Sequence, residues 1–129
     1  MGNNNFTKFK GLTFGLKEYP SNFLNNGSVE SLHLTIGTNT NGSEAFANNK
    51  NLTSVVLDGT SYGTAEKMFA NCSNLTSVRI SGTTKATLDP TMFDGTPIMK
   101  EIGGGTIYVF SSKLSQYQNS YPNWNFAAG

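Results

Sequence analysis

The chain has 129 residues, with nine Lys plus Arg, eight Asp plus Glu and one His, so its formal net charge is +1. This length predicts a single domain, and a charge so close to zero gives no electrostatic basis for binding nucleic acid or an anionic membrane. The single cysteine, Cys72, excludes an internal disulfide framework and a cysteine-clustered zinc site, and no apolar run is long enough to span a bilayer.

The first predicted element is an N-terminal arm or degenerate coil over residues 1–11. Leu12, Phe14 and Leu16 follow with the period of two that is typical of a strand. They predict the strand of a degenerate first unit.

An internal repeat dominates the middle of the chain. Residues 45–60 and 68–83 match at ten of sixteen positions with an offset of 23 residues. Four phenylalanines recur at about this period. Each of the first three phenylalanines is followed by a triplet of apolar residues, of which the second is three positions after the first and the third is two positions after the second. No such unit buries its apolar face alone, so the repeat predicts stacked coils. The phenylalanines are Phe23, Phe46, Phe69 and Phe93, and the triplets are Val29, Leu32 and Leu34; Leu52, Val55 and Leu57; and Leu75, Val78 and Ile80.

The last two residues of each triplet predict a strand with one buried face. Val55 and Leu57 are two positions apart and therefore point to the same side, toward a core. Ser54, Val56 and Asp58 are expected to point to the opposite side.

The final repeat departs from this pattern. Met99 and Ile102 are expected to be its first two apolar positions, and three glycines at 103–105 stand where the third should be. They do not form a phosphate-binding loop, because no lysine follows at the required spacing. The sequence therefore predicts a broken repeat before the C-terminal segment.

The C-terminal segment predicts a strand followed by a helix. Residues 107–109 form the expected final strand. Ser111 or Ser112 is expected to N-cap a helix that Pro122 ends, and Trp124 is expected to cover the open end of the core. The helical face toward the core is predicted to hold Leu114, Tyr117 and Tyr121.

A resemblance to a known family rests on A-F-A-N-N-K-N-L-T-S-V, M-F-A-N-C-S-N-L-T-S-V and the tail that contains I-Y-V-F. These segments resemble the BspA-like (Treponema-type) leucine-rich repeats of bacteria and phages, with their C-terminal cap. Phe110 stands where that cap has proline. Cys72 matches the family's cysteine, and Asn49 occupies the equivalent position one coil earlier. The resemblance implies an α/β leucine-rich-repeat solenoid, strand-rich, in a short right-handed array of four to five coils with a C-terminal strand-helix cap. Residues 12–106 would form the repeat array and residues 107–129 the cap.

Candidate catalytic chemistry depends on His33, the only histidine. A Ser/His/acid arrangement would need it beside Asp58 and an outward serine of the predicted sheet. A shallow sheet face offers neither a dry pocket nor an oxyanion hole, so we expect no catalytic residue and no enzyme activity. No cofactor or metal is expected either, because the chain has no His/Cys cluster. Cys72 is expected to be a small buried residue rather than a reactive thiol.

The outward side chains of the predicted strands form rows, because successive strands stack about 4.8 Å apart. We expect this small, mostly uncharged face to bind a protein or a glycan, with Gly103 extending its central row. The alternative is that the face only meets water and that binding uses the ends of the stack or its convex side. The predicted partner-binding residues are Ser31, His33, Thr35, Ser54, Val56, Asp58, Ser77, Arg79 and Ser81.

The family resemblance implies an interaction module without catalytic residues. We expect a non-catalytic interaction or structural module in a phage virion or a bacterial surface assembly, which would place the chain in the virion or at the cell surface. The alternatives are a fragment of a secreted adhesin that binds host protein or glycan, and a small soluble inhibitor of a host enzyme. Self-association into a homo-oligomer is left open, and neither nucleic acid nor membrane insertion is expected. The N-terminus lacks the apolar stretch of a signal peptide, so we expect synthesis in the cytoplasm.

Overall fold

The computed structural model describes residues 11–16, 25, 29–36, 43–58, 61–62, 65–82 and 84–129. Its strands are β1 (Gly11–Leu16), β2 (Ser31–Ile36), β3 (Ser54–Asp58), β4 (Ser61–Tyr62), β5 (Ser77–Ser81), β6 (Thr87–Leu88), β7 (Thr106–Val109) and β8 (Phe126–Ala128). A 3-10 turn at Ser111–Lys113 leads into the helix α1 (Leu114–Ser120).

Six strands form one parallel sheet in the order β1-β2-β3-β5-β7-β8, and β4 and β6 form a separate parallel pair. This strand-rich parallel sheet with one C-terminal helix fits the leucine-rich-repeat-like fold that the sequence predicts. The count of four to five coils and the right-handed winding stay predictions.

Alternating burial explains the main sheet. Val55 and Leu57 of β3 are buried, whereas Val56 between them is half-buried on the other side. β5 repeats this alternation, with Val78 and Ile80 buried. Val55 lies opposite Val78, so equivalent residues of the two matching repeats are neighbours in the sheet. The predicted inward and outward sides of these two strands are therefore confirmed.

A column of aromatic rings runs through the core. The rings of Phe46 and Phe69 lie 5.8 Å apart at 15°, and those of Phe69 and Phe93 lie 5.7 Å apart at 11°. The indole of Trp124 meets the Phe93 ring edge-on at 5.0 Å and 87°. All four side chains are buried. Aromatic pairs of this kind contribute about 0.5–1.5 kcal/mol each beyond the burial of their area, so the column ties successive repeats together.

The turns opposite the main sheet are also stacked. The amide of Phe46 donates a hydrogen bond of 2.9 Å to the carbonyl of Met68, one repeat further along the chain. Asn48 and Asn71 occupy equivalent positions with left-handed φ values of 61° and 60°, and Gly95 follows at 74°. A Cβ at Gly95 would lie 2.4 Å from Oδ1 of Asn71, so glycine relieves both the backbone strain and the crowding there.

The final repeat shows that the prediction for Met99 and Ile102 is wrong. Ile102 is 53% exposed, and the buried apolar positions are instead Ile98 and Ile107. These two lie nine positions apart where the earlier repeats have three, so six additional residues loop out before β7. Gly103 lies in this loop with φ of 82°, a left-handed conformation that favours glycine, and it is not part of the sheet.

The predicted strand at residues 107–109 is confirmed within β7, but it is not the final strand. β8 follows α1 and pairs in parallel with β7, with Ile107 opposite Phe126. The prediction that Ser111 or Ser112 N-caps a helix is also wrong. The chain first tightens into the 3-10 turn that contains both serines, and neither this turn nor α1 begins with a side-chain cap hydrogen bond.

α1 packs its predicted apolar face toward the core. Tyr117 is buried, and Leu114 and Tyr121 are partly buried against the same cluster. The Tyr117 hydroxyl accepts a hydrogen bond of 2.6 Å from the amide of Ala86, and the Tyr121 hydroxyl accepts one of 2.7 Å from the amide of Leu88. Tyr117 of α1 and Tyr121, the residue that follows α1, thus satisfy two backbone amides at and beside β6 without adding a strand to that pair.

At the other end, β1 contains the predicted first strand and pairs with β2 in parallel, with Leu12 opposite Leu32. Residues 1–10 and Phe23 lie outside the described residues, so the arm expected at 1–11 stays a prediction. The predicted divisions at 12–106 and 107–129 stay predictions as well. No helix in the described part of the chain is long and apolar enough to cross a bilayer.

Candidate interaction surface on the parallel sheet

The outward side chains of β2, β3, β5 and β7 form one continuous surface, the sheet face. Eight of the nine predicted partner-binding residues have described side chains, and each of these is exposed or half-buried. The side chain of Thr35 lies outside the described residues, although its backbone pairs with Asp58. A role in binding stays a prediction for all nine. Across β2, β3 and β5 their rows are Ser31–Ser54–Ser77, His33–Val56–Arg79 and Thr35–Asp58–Ser81.

Tyr108 extends the central row in the place predicted for Gly103. The register between β5 and β7 sets Tyr108 opposite Arg79, and that between β7 and β8 sets Ala127 opposite Tyr108. The prediction failed because the six-residue loop shifts the start of the strand. The alternation in Ile107-Tyr108-Val109, with a tyrosine between two apolar residues, is the signal that could have placed Tyr108 on this face.

A polar cluster on the sheet face is centred on Asp58. One carboxylate oxygen contacts Nε2 of His33 on β2, and the other accepts a hydrogen bond from Oγ of Ser81 on β5. The cluster therefore links three neighbouring strands. The His33 and Asp58 side chains are 46% and 31% exposed, so their interaction contributes only about 0.2–1 kcal/mol to stability. Its main effect is to fix the orientation of an exposed imidazole.

This cluster does not have the connectivity of a catalytic triad. A triad needs the serine hydroxyl hydrogen-bonded to the imidazole, with the carboxylate behind the imidazole. Here the Ser81 hydroxyl donates to Asp58, so the carboxylate lies between serine and histidine and the histidine is not positioned to take the serine proton. Within the described residues no group of three or more His, Cys, Asp or Glu side chains is arranged to hold a metal ion.

Arg79 connects the sheet face to the C-terminal segment. Its Nη1 donates a hydrogen bond of 3.0 Å to the backbone oxygen of Gly129, although the two residues are 50 positions apart in the sequence. The side chain remains exposed. An exposed guanidinium that is already held in place loses less side-chain entropy when a partner binds.

Cys72 lies away from this surface, among the stacked turns. The side chain is buried, and its Sγ donates to the backbone oxygen of Phe46 at 3.2 Å. Burial raises the pKa of the thiol from 9.0 to about 12. The thiol is therefore protonated at neutral pH, which confirms the expectation of a small buried residue and excludes an activated nucleophile.

A groove of about 170 Å³ lies at the C-terminal end of the molecule, outside the sheet face. Tyr121 and Trp124 line it together with Pro90 and Pro122. Trp124 is only 3% exposed, so its ring serves the core and leaves little aromatic surface for a ligand.

Comparison with known families agrees with this architecture. The family model for the BspA type leucine rich repeat region matches residues 3–119 with six copies. No curated protein and no solved structure matches the chain. Repeats of this class generally mediate protein interactions, and the match covers most of the sequence. The chain belongs to the BspA-type leucine-rich repeat family.

Proposed function

We propose that this protein is a non-catalytic interaction module that contacts a partner protein through the sheet face, as a component of a phage virion or a bacterial surface assembly. The observation that carries this proposal is the central row of the sheet face. It brings His33, Val56, Arg79 and Tyr108 side by side from four different strands. In the sequence these residues are 23, 23 and 29 positions apart, and the parallel stack alone makes them one surface.

The residue types in this row suit a protein contact. Arginine and tyrosine are enriched among the residues that dominate binding energy at interfaces. Val56 supplies a small apolar centre, and a row of three short serines, Ser31, Ser54 and Ser77, lies on one side of it. Two of the polar side chains are held before binding, His33 by Asp58 and Arg79 by the oxygen of Gly129. Such preorganisation reduces the entropy lost on association.

The size and charge of the surface set the kind of complex. Four strands about 4.8 Å apart span roughly 15 Å across the sheet, which favours a modest interface. Arg79 and Asp58 have opposite charge, so the described part of the face has little net charge. Binding is therefore expected to depend only weakly on salt.

The C-terminal segment acts as the cap of the proposed array. β7, α1 and β8 close the end of a solenoid of four to five coils, with residues 12–106 as the array and residues 107–129 as the cap. Supporting this role, Trp124 lies edge-on against the last phenylalanine of the ring column. The two tyrosine hydroxyls that satisfy amides near β6 support it as well. A stack without such a cap would expose its last apolar layer to water.

Glycan binding by a secreted adhesin is the second candidate. The half-buried ring of Tyr108 beside the exposed Arg79 supports it, because an aromatic side chain flanked by hydrogen-bonding groups also suits a sugar. No comparable observation favours the inhibitor of a host enzyme.

Co-sedimentation tests the proposal. Tagged protein is mixed with virions, and separately with cell envelopes, from the source that carries the sequence, and the bound fraction is measured. Arg79→Ala is compared with Lys100→Ala, which removes the same charge from an exposed position outside the sheet face. The wild-type protein and Lys100→Ala are expected to bind alike, and Arg79→Ala to bind at least tenfold more weakly, the cost of a strong interface residue. Equal binding by both variants, or no binding of the wild type to either fraction, would overturn the proposal. Competition by free glycans would favour the adhesin instead.

A further inference from the structure

The outer edge of β8 carries backbone groups that point away from the rest of the sheet. The carbonyl of Asn125 accepts from the amide of Ile107, and the amide of Gly129 donates to the carbonyl of Val109. Backbone groups alternate sides along a strand, so residues 126 and 128 of β8 direct their N–H and C=O groups outward. Within the described residues, no strand lies beyond β8 on this side.

This edge lacks most of the features that protect edge strands from pairing with another chain. Charged residues, prolines and bulges are the usual devices. β8 reads Phe-Ala-Ala, and Lys113 is the only charged residue of the chain from position 106 to position 129. The one protective feature is that β8 has only three residues, which implies a weak contact.

The strand that best matches this edge is β1 of a second copy. All strands of the main sheet run parallel, and β1 is its first described strand. β1, which reads Gly-Leu-Thr-Phe-Gly-Leu, has no charged residue and no proline either. A second copy stacked on β8 would continue the sheet in the same direction, with apolar rows meeting apolar rows.

The register of the existing sheet specifies the alignment. Leu12 and Phe126 belong to one row, which passes through β2, β3, β5 and β7. By the same register, Thr13 and Ala127 belong to the next row, which passes through His33, Val56, Arg79 and Tyr108. Continuing these rows sets Leu12 of the second copy beside Phe126, and Thr13 of the second copy beside Ala127.

We propose that the protein self-associates head to tail, with the β8 edge of one copy adding in parallel to the β1 edge of the next. Because the two edges differ, the contact is heterologous, and an array of copies ends in a β1 edge on one side and a β8 edge on the other. Association is therefore open-ended and concentration-dependent rather than a closed dimer. This inference deepens the proposed function as an interaction module by naming one partner, and it uses the edges of the sheet rather than the sheet face.

Light scattering over a concentration series is the first test. The average mass of the wild-type protein is expected to rise above 13.9 kDa with concentration, and that of Ala128→Lys to stay at the monomer value. Asn119→Lys adds the same charge to an exposed position of α1 and should associate as the wild type does. Matching urea midpoints show that both variants are folded. A constant monomer mass for the wild type, or equal association by both variants, would overturn the proposal.

Directed cross-linking tests the alignment itself. Within one chain, positions 13 and 127 lie five strand spacings apart, about 24 Å. Head-to-tail stacking places position 13 of one copy about 4.8 Å from position 127 of the next copy, within reach of a disulfide. Thr13→Cys and Ala127→Cys proteins are oxidised separately and as a mixture. Covalent pairs containing one of each are expected in the mixture, with no pairs in either protein alone. Pairs in the separate samples, or none in the mixture, would refute head-to-tail stacking. The native Cys72 is buried and does not compete. If this cross-link is absent while the protein still binds its partner through Arg79, self-association is refuted and the proposed function stands.

Discussion

Substitution of Phe69, the middle ring of the aromatic column, is expected to produce a large loss in the free energy of unfolding. Its ring stacks between Phe46 at 5.8 Å and Phe93 at 5.7 Å, and the side chain is fully buried. Replacing Phe69 with Leu keeps the site apolar but removes both ring pairs, which contribute about 1–3 kcal/mol together. The lost volume adds roughly 1 kcal/mol. We therefore expect Phe69→Leu to lower the free energy of unfolding by about 2–4 kcal/mol, a large share of the roughly 5–15 kcal/mol of a typical domain.

A double-mutant cycle separates ring stacking from simple burial. Phe69→Leu, Phe93→Leu and the double variant are unfolded in urea and followed by circular dichroism. Because the rings of Phe69 and Phe93 are in contact, the two losses should not add, and the coupling energy is expected to be about 0.5–1.5 kcal/mol. Ile80→Val is the reference for a buried position without a ring pair, with an expected loss of about 0.5–1.5 kcal/mol.

Two results would refute this reasoning about the ring column. One is additivity of the Phe69 and Phe93 substitutions within about 0.5 kcal/mol, the range found for independent sites. The other is a loss for Phe69→Leu no larger than that for Ile80→Val. In either case the period of phenylalanines would reflect only the burial of apolar area.

Burial and hydrogen bonding set the expected outcomes at three other positions. Val78→Asp should unfold the chain, because it buries an unpaired carboxylate. Ser77→Asp, on the half-buried outer side of β5, should change the free energy of unfolding by less than about 0.5 kcal/mol. Circular dichroism distinguishes the two variants. The folded chain holds the Cys72 proton up to a pKa of about 12, while the unfolded chain releases it near 9.0, so stability contributed by this thiol should be lost as the pH rises from 9.0 to about 12. Urea midpoints of the wild type and of Cys72→Ala across that range measure this loss. Tyr117→Phe leaves the amide of Ala86 without its acceptor and should cost about 1–3 kcal/mol in urea unfolding.

Each of these comparisons has its own contradicting outcome. Equal damage from Val78→Asp and Ser77→Asp would mean that the two sides of β5 are wrongly assigned. Parallel pH profiles for the wild type and Cys72→Ala, or rapid reaction of the native thiol with Ellman's reagent, would contradict its burial. Tyr108→Phe serves as the reference for Tyr117→Phe, because it removes a tyrosine hydroxyl from the sheet face. Equal losses for the two tyrosine variants would show that the bond to Ala86 contributes nothing.

The repeat made the central strands predictable in detail. Residues 23 positions apart, such as Val55 and Val78, are neighbours in the sheet, so matching sequence letters correspond to matching spatial positions. The outward rows through Ser54 and Val56 followed from the same offset and from the alternation of a strand. Local periodicity was sufficient there because β3 begins at Ser54 and β5 at Ser77, one repeat of 23 residues apart.

The final repeat could not be predicted in the same way. Six additional residues separate Ile98 from the buried Ile107, so the spacing of three that places buried residues in the earlier repeats fails here and Ile102 is exposed. β8 was missed because Phe126-Ala127-Ala128 is too short to show a period of two. Pairing with β7, rather than intrinsic preference, makes it a strand.

The sequence by itself determined the period, the buried side of the repeated strands and the column of phenylalanines, because each of these depends on a fixed offset between equivalent residues. Only the tertiary structure decided which residues meet across unequal connections and which side chains of the sheet face bond to one another. Tyr108 joins the row of Arg79, Asp58 accepts the Ser81 hydrogen bond and contacts His33, and Arg79 reaches an oxygen 50 positions away. These contacts depend on which strands become neighbours and on the direction in which each side chain points. Both are decided only when the strands stack.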